Sequence, residues 1–141
     1  MTKKIRIGIA GYGNLGRGVE SAIAQNDDME LIGVFTRRNP DELTLLNDKV
    51  PVYAHDSILK FKENIDVLIL CGGSKNDLPE QGPALSKHFS TIDSFDTHTE
   101  IPNYFDAVDQ SAKPNENTSI ISVGWDPGLF SINRLYGEAV L

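Results

Sequence analysis

The sequence predicts an α/β domain with a doubly wound, mostly parallel sheet and helices on both faces. Short β-branched runs alternate with helix-length segments along the chain, and a glycine-rich turn follows the first apolar run. Such alternation is typical of parallel strands joined by right-handed helical crossovers. The composition, 40% hydrophobic and 23% charged over 141 residues, is that of an ordinary globular domain.

The predicted elements follow from periodicity and from turn residues. A strand at 5–10 precedes a helix at about 15–25, where apolar residues recur at helical spacing, and a second strand covers 30–36. A charged break containing Pro40 comes next. Further along, the pattern predicts strands at 50–53, 66–71, 90–95 and 119–123, and helices at 57–63, 79–88, 101–113 and 128–141.

Charge and residue inventory argue against several classes of function. Twenty acidic and thirteen basic residues give a net charge of −7, which disfavours binding to nucleic acid or to an anionic membrane. We see no secretory signal and no membrane-length apolar run, so a cytoplasmic location is expected. The one cysteine cannot form an internal disulfide, and the three histidines, His55, His88 and His98, lack metal-ligand spacing, so no metal is expected.

The glycine-rich turn has the pattern G-x-G-x-x-G, with Gly11, Gly13 and Gly16 between the predicted first strand and helix. In that context Gly11 would allow a tight turn, Gly13 the close approach of a pyrophosphate, and Gly16 the packing of the helix against the strand. The amides of the helix N-terminus would hold the phosphate. A glycine-rich turn without a ligand is the alternative, but the strand–turn–helix context favours a Rossmann-type dinucleotide site.

The end of the second strand indicates which dinucleotide is bound. A domain that binds NAD places Asp or Glu there for the ribose hydroxyls, whereas one that binds NADP needs cations for the 2′-phosphate. This sequence has Thr36, Arg37 and Arg38, and guanidinium groups bind phosphate bidentately. NADP is therefore the predicted cofactor. The alternative is that both arginines are solvated or pair with Asp41 and Glu42.

Residues after the later strands are further candidates, because ligands bind beyond the carboxyl ends of strands in doubly wound folds. The small residues at 71–74 would let the backbone approach the cofactor, although the thiol there is as readily buried and inert. Asp96 or Asp126 could position an ammonium group or transfer protons, or could cap a helix. His98 could donate to a substrate carboxylate or be an exposed loop residue, and Trp125 could line a cavity or serve packing.

Five segments together resemble meso-diaminopimelate dehydrogenase. They are Gly11–Arg17, Phe35–Arg38, Leu70–Ser74, Asp77–Gln81 and Trp125–Arg134. The last is the most specific, because dihydrodipicolinate reductases and sugar oxidoreductases have related glycine loops but lack such a run. The resemblance implies an NADP-dependent oxidative deamination at the D-centre of meso-2,6-diaminopimelate, in bacterial lysine biosynthesis, by a homodimer.

The resemblance, the glycine motif and the strand-end positions together give the expected site residues. Contacts with substrate are expected from His98 and Phe130, and from Trp125 and Asp126 after the last predicted strand, with Asp96 and Asp126 as the candidate catalytic residues. Contacts with the cofactor are expected from the following residues: Gly11, Tyr12, Gly13, Asn14, Leu15, Gly16, Thr36, Arg37, Arg38, Cys71, Gly72, Gly73, Ser74, Asp96, Thr97, His98, Pro127, Gly128, Leu129, Phe130 and Ser131.

Members of this family are considerably longer than 141 residues. Residues 1–123 are therefore expected to form the dinucleotide-binding domain, and residues 124–141 to begin a substrate and dimerisation domain that is otherwise absent. Such a chain is expected to bind cofactor without turning over substrate. Two other functions stay open: a non-catalytic NAD(P)-binding regulatory or sensing module, and another Rossmann-type amino-acid or sugar dehydrogenase.

Overall fold

A computed structural model describes residues 3–124 and 129–140, which form a parallel six-stranded sheet with helices. In chain order the strands are β1 (Ile5–Ala10), β2 (Met29–Thr36), β3 (Val52–Ala54), β4 (Val67–Leu70), β5 (Ser90–Asp93) and β6 (Ser119–Ile120). The helices are α1 (Asn14–Ile23), α2 (Leu78–Ser86), α3 (Ile101–Ala112) and α4 (Leu129–Val140). Short 3₁₀ helices span 40–42, 55–61, 98–100 and 113–115.

The strands lie in the order β3-β2-β1-β4-β5-β6, and every neighbouring pair is parallel. The order runs outward in both directions from the boundary between β1 and β4, which is the topological switch point of a doubly wound sheet. The predicted fold class is therefore confirmed. Ligands of such sheets bind beyond the carboxyl ends of the strands at this point.

Two apolar cores lie on opposite faces of the sheet, because successive strand residues point in opposite directions. On β1, Ile9 belongs to one core and Ala10 to the other; on β4, Ile69 and Leu70 divide in the same way. The smaller core packs against α1. The larger core, against α2 and α3, contains Ala10, Phe35, Ile58, Ile65, Leu68, Leu70, Leu78, Leu85, Phe89, Phe95, Tyr104 and Val108.

The buried face of helix α1 only partly matches the one its apolar spacing predicts, since Val19 and Ile23 pack on the core but Leu15 does not. Its buried residues are Gly16, Glu20 and Ile23, whereas Leu15 is 44% exposed. The cause is close packing on the glycine turn: a Cβ built on Gly16 would lie 2.6 Å from the carbonyl oxygen of Gly11. This approach turns the position one helical turn later, Glu20, toward the protein interior.

Several predicted elements are present with altered ends or character. The helix predicted at 57–63 is a 3₁₀ helix over His55–Phe61, and the strand predicted at 119–123 is only Ser119–Ile120. The shortening has a physical reason. Ser122 has a left-handed φ of 60°, and its N–H donates to the carboxylate of Asp93 at 3.1 Å instead of extending the sheet.

Helix α4 differs from the other three because none of its residues is buried. Its apolar side chains include Leu135 and Tyr136, each 67% exposed. In the described parts of the chain, 3–124 and 129–140, no helix has the length and apolar character needed to span a bilayer.

Candidate functional site

A cavity of about 330 Å³ lies where the ends of β1, β2 and β4 come together. Sheet hydrogen bonds bring its walls together: the Gly11 N–H donates to the Phe35 carbonyl at 2.8 Å, and the Cys71 N–H donates to the Ala10 carbonyl at 2.7 Å. All lining residues except Asp77 are among the predicted cofactor contacts. The lining consists of Gly11, Tyr12, Gly13, Thr36, Arg37, Arg38, Cys71, Gly72, Gly73 and Asp77.

The glycine turn has a geometry that fits a dinucleotide phosphate. Gly11 has a φ of 92°, a left-handed conformation that L side chains rarely adopt. A Cβ built on Gly13 would meet nothing within 4 Å, so the space above this residue is open. Gly13 also precedes α1 and has no side chain to cap it. The amides of the first helical turn are therefore left to a ligand or to water.

The end of β2 is joined to the glycine turn through Arg38. Thr36 is 3% exposed, and its hydroxyl accepts a hydrogen bond from the Arg38 N–H at 3.1 Å. The Arg38 guanidinium donates to the carbonyl oxygen of Tyr12. A guanidinium group is thus held beside the glycine turn, on the wall of the cavity.

Arg37 crosses the cavity mouth to the loop after β4. Its guanidinium forms an ion pair with Asp77, with an N–O distance of 2.8 Å. The pKa of Asp77 is lowered, first by the hydrogen bond it accepts from the Gly73 N–H at 2.7 Å and then by Arg37. The partner of Arg37 is therefore Asp77, and not Asp41 or Glu42, which the sequence offered as alternatives.

The segments after β4 and β5 lie side by side. The hydroxyl of Ser74 accepts from the Asp96 N–H at 2.8 Å and lies 3.4 Å from the Thr97 hydroxyl. Asp96 is exposed, and Thr97 is the residue that precedes the 3₁₀ turn His98–Glu100, so Asp96 does not occupy the cap position. Burial raises the pKa of Cys71 to about 12, so this thiol stays protonated at neutral pH, which favours the inert interpretation.

The remaining predicted site residues are not part of this cavity wall in the described ranges. Asn14, Leu15 and Gly16 begin α1, and Leu129, Phe130 and Ser131 begin α4. Trp125, Asp126, Pro127 and Gly128 lie outside the described residues. Among residues 3–124 and 129–140, no cluster of three or more His, Cys, Asp or Glu side chains is arranged to hold a metal ion.

Asp93, at the end of β5, is a buried carboxylate that is not among the predicted site residues. It is 2% exposed and accepts from the Tyr104 hydroxyl at 2.6 Å, the Phe95 N–H at 2.9 Å and the Ser122 N–H at 3.1 Å. Burial, then the hydrogen bond to Asp93, raises the pKa of Tyr104, so its phenol remains a donor. The sequence feature that could have indicated this residue is its position, because Asp93 is an acidic residue within a predicted strand.

Together, the strand order, the glycine turn at the switch point and the cationic end of β2 define a Rossmann-type dinucleotide-binding domain. Comparison with known proteins narrows this class, although no family model matches the chain. Over 137 residues the chain is 62% identical to meso-diaminopimelate D-dehydrogenase of Lysinibacillus sphaericus, covering 97% of this chain and 42% of that protein.

Two solved structures give the same result. The DAP dehydrogenase of Corynebacterium glutamicum in complex with DAP is 44% identical, with a TM-score of 0.83 over 99% of this chain and 42% of that one. An engineered D-amino acid dehydrogenase bound to NADP⁺ has the same identity, score and coverage. The chain is thus similar in sequence and fold to the N-terminal part of the meso-diaminopimelate D-dehydrogenases, spanning 42% of their length, and the predicted resemblance is confirmed.

Proposed function

We propose that this chain is the NADP-binding part of a dehydrogenase that oxidatively deaminates meso-2,6-diaminopimelate at its D-centre. The observation that carries the proposal is the pair Arg37 and Arg38 on the wall of the cavity that also contains the glycine turn. Two comparisons support it: the 62% identity to a meso-diaminopimelate D-dehydrogenase and the likeness to a structure bound to NADP⁺.

Different residues of this cavity bind different parts of the dinucleotide. The glycine turn and the first turn of α1 bind the pyrophosphate through backbone N–H groups. Arg37 and Arg38 bind the 2′-phosphate, because guanidinium groups can donate two hydrogen bonds each to a phosphate. Thr36, the last residue of β2, is neutral, so the position that carries a carboxylate in NAD-binding domains does not repel this phosphate.

The chemical step belongs to the wider site. When bound, NADP⁺ would accept the hydride from the α-carbon; the amine would become an imine with loss of a proton, and water would hydrolyse this imine to the oxo acid and ammonia. We assign proton transfer to Asp96 and Asp126, and substrate contacts to His98, Trp125, Asp126 and Phe130. Asp96 is exposed, and its backbone N–H is fixed by Ser74 beside the cavity segment.

The proposal extends to domain organisation and cellular context. Residues 1–123 form the dinucleotide-binding domain, and residues 124–141 begin a unit for substrate binding and homodimer formation. The exposed apolar side chains of α4 support such a unit, because they offer surface for another part of the protein to cover. The protein acts in the cytoplasm, in lysine biosynthesis, without nucleic acid or membrane partners.

The cofactor assignment is tested by the double substitution Arg37→Ala and Arg38→Ala. We expect the unaltered protein to bind NADPH more tightly than NADH, and the double variant to lose at least about tenfold in NADPH affinity with little change for NADH. Fluorescence titration of both nucleotides measures this. As a control, Lys60→Ala with Lys62→Ala removes two exposed cations elsewhere. Equal weakening for NADPH and NADH would contradict the assignment.

The division between binding and catalysis is tested with meso-2,6-diaminopimelate. Because the chain spans 42% of its relatives, we expect the 141-residue chain to bind NADP⁺ but to form no NADPH from this substrate. Absorbance of NADPH reports turnover, and titration under the same conditions confirms that the cofactor is bound. Sustained deamination by the chain alone would show that residues 1–141 hold the complete site.

A further inference from the structure

Helix α1 carries a carboxylate inside the protein. Glu20 lies on the buried face of the helix and is 3% exposed. An ionised carboxylate is costly to bury unless hydrogen bonds replace its hydration. The donors that satisfy Glu20 therefore identify the parts of the molecule that this side chain holds in place.

Three donors converge on this carboxylate. Oε2 accepts from the Tyr12 hydroxyl and, at 3.1 Å, from the Leu46 N–H. Oε1 accepts from the Asn47 N–H at 2.9 Å. Burial, followed by the hydrogen bond to Glu20, raises the pKa of Tyr12, so the phenol remains a donor. We refer to Tyr12, Glu20, Leu46 and Asn47 as the carboxylate latch.

The latch connects the two segments that carry the phosphate-binding groups. Tyr12 lies in the glycine turn, and its carbonyl oxygen accepts from the Arg38 guanidinium. Leu46 and Asn47 lie in the β2–β3 connection, residues 37–51, which begins with the two arginines. Ordering a connection of this length costs conformational entropy, so a fixed point near its middle restricts the positions its first residues can take.

We propose that Glu20 is a specificity-determining positioning residue, which holds Arg38 against the glycine turn through the latch and so favours NADP over NAD. This inference rests on the proposed function, because it concerns the same cavity. Glu20 acts through Tyr12 and the β2–β3 connection, and it is not part of the cavity lining. A guanidinium that is already oriented loses less conformational entropy when it binds phosphate. Because NADH lacks the 2′-phosphate, its affinity depends little on whether the Arg38 guanidinium is already oriented.

The test is Glu20→Gln, which keeps the size of the side chain and replaces one acceptor oxygen with a donor amide. We expect NADPH affinity to fall by about tenfold while NADH affinity changes little, so that cofactor preference is largely lost. Amide hydrogen exchange at Leu46 and Asn47 should become faster. Tyr12→Phe, which leaves both backbone donors to Glu20 intact, should give a smaller loss of preference. Glu30→Gln removes an exposed carboxylate of β2 and should change neither measurement.

The possible outcomes separate this inference from the proposed function. Equal loss for NADPH and NADH in a folded Glu20→Gln protein, or an unchanged preference, would overturn the positioning role. Absence of NADPH preference in the unaltered protein would instead overturn the proposed function. If Glu20→Gln does not fold, Tyr12→Phe is the test of the positioning role. A smaller preference for NADPH over NADH in this variant supports the role. A preference equal to that of the unaltered protein refutes it.

Discussion

The two halves of the sheet's carboxyl edge hold their loops in different ways. At the cavity mouth beside β1, β2 and β4, one ion pair is partly accessible: the Arg37 side chain, 64% exposed, pairs with Asp77, whose side chain is 15% exposed. Beside β5 and β6, Asp93 is 2% exposed and is satisfied by the Tyr104 hydroxyl and two backbone N–H groups. The first half can exchange its contacts for those of a ligand, whereas the second half fixes the scaffold.

The energetics of the two arrangements differ accordingly. An exposed ion pair contributes about 0–1 kcal/mol, because water and salt screen it. Removing one partner of a buried, charged hydrogen bond costs about 3 kcal/mol or more, because the other partner remains desolvated. Substitutions near Asp93 should therefore change the free energy of unfolding, and substitutions near Asp77 should mainly change cofactor affinity.

The largest expected effect is that of Gly82→Ala, where α2 packs on α3. A Cβ at Gly82 would lie 2.6 Å from Cζ of Tyr104, so the ring must move and its hydrogen bond to Asp93 is lost. We expect the free energy of unfolding to fall by about 3 kcal/mol. Urea denaturation followed by circular dichroism measures the change.

Gly18→Ala is the matched control for this substitution. Gly18 is exposed within α1, and a Cβ there would meet nothing within 4 Å. Alanine at such a helix position should raise the free energy of unfolding by about 0.5–1 kcal/mol. If Gly82→Ala left the protein as stable as before, the contact between Tyr104 and Asp93 would not support the scaffold as we describe.

The fold was predictable where the pattern is local. The strand β1 has the predicted bounds, Ile5–Ala10, because a short, largely apolar run ends at a glycine turn and both signals lie within a few residues. The end of β6 was not predictable in this way. The strand stops because Ser122 bonds to Asp93, a residue 29 positions earlier, and a contact at that separation leaves no local pattern.

The cavity was predictable for a related reason, since the ends of parallel strands must meet at one edge of the sheet. Glycine, arginine and small residues at those ends therefore come together. The carboxylates that organise them were missed: Arg37 and Asp77 are 40 residues apart, and Glu20 and Asn47 are 27 apart. The sequence does contain one indication that Glu20 is buried. It lies one helical turn after Gly16, on the face of α1 that packs against the glycine turn.

A smaller effect, on cofactor affinity, is expected from Asp77→Asn. This substitution tests the role of the ion pair at the cavity mouth. The amide keeps an acceptor for the Gly73 N–H but removes the negative charge beside Arg37. A carboxylate near the site of a bound 2′-phosphate repels it, so we expect NADPH to bind about two- to fivefold more tightly, and more so at low salt. NADH affinity should stay the same. Asp41→Asn, an equal charge change at an exposed position, serves as the control.

The ionisation of Asp77 sets the pH range over which this comparison holds. Because the hydrogen bond from Gly73 and the ion pair with Arg37 lower its pKa in the folded protein, Asp77 stabilises the fold above its unfolded pKa of about 3.9, and this stabilisation is lost as the pH falls through the lower folded value. The carboxylate is therefore charged throughout the neutral range. The gain in NADPH affinity that we expect for Asp77→Asn should therefore be the same at all neutral pH values. Weaker NADPH binding by Asp77→Asn would instead show that the ion pair orients Arg37 for the phosphate.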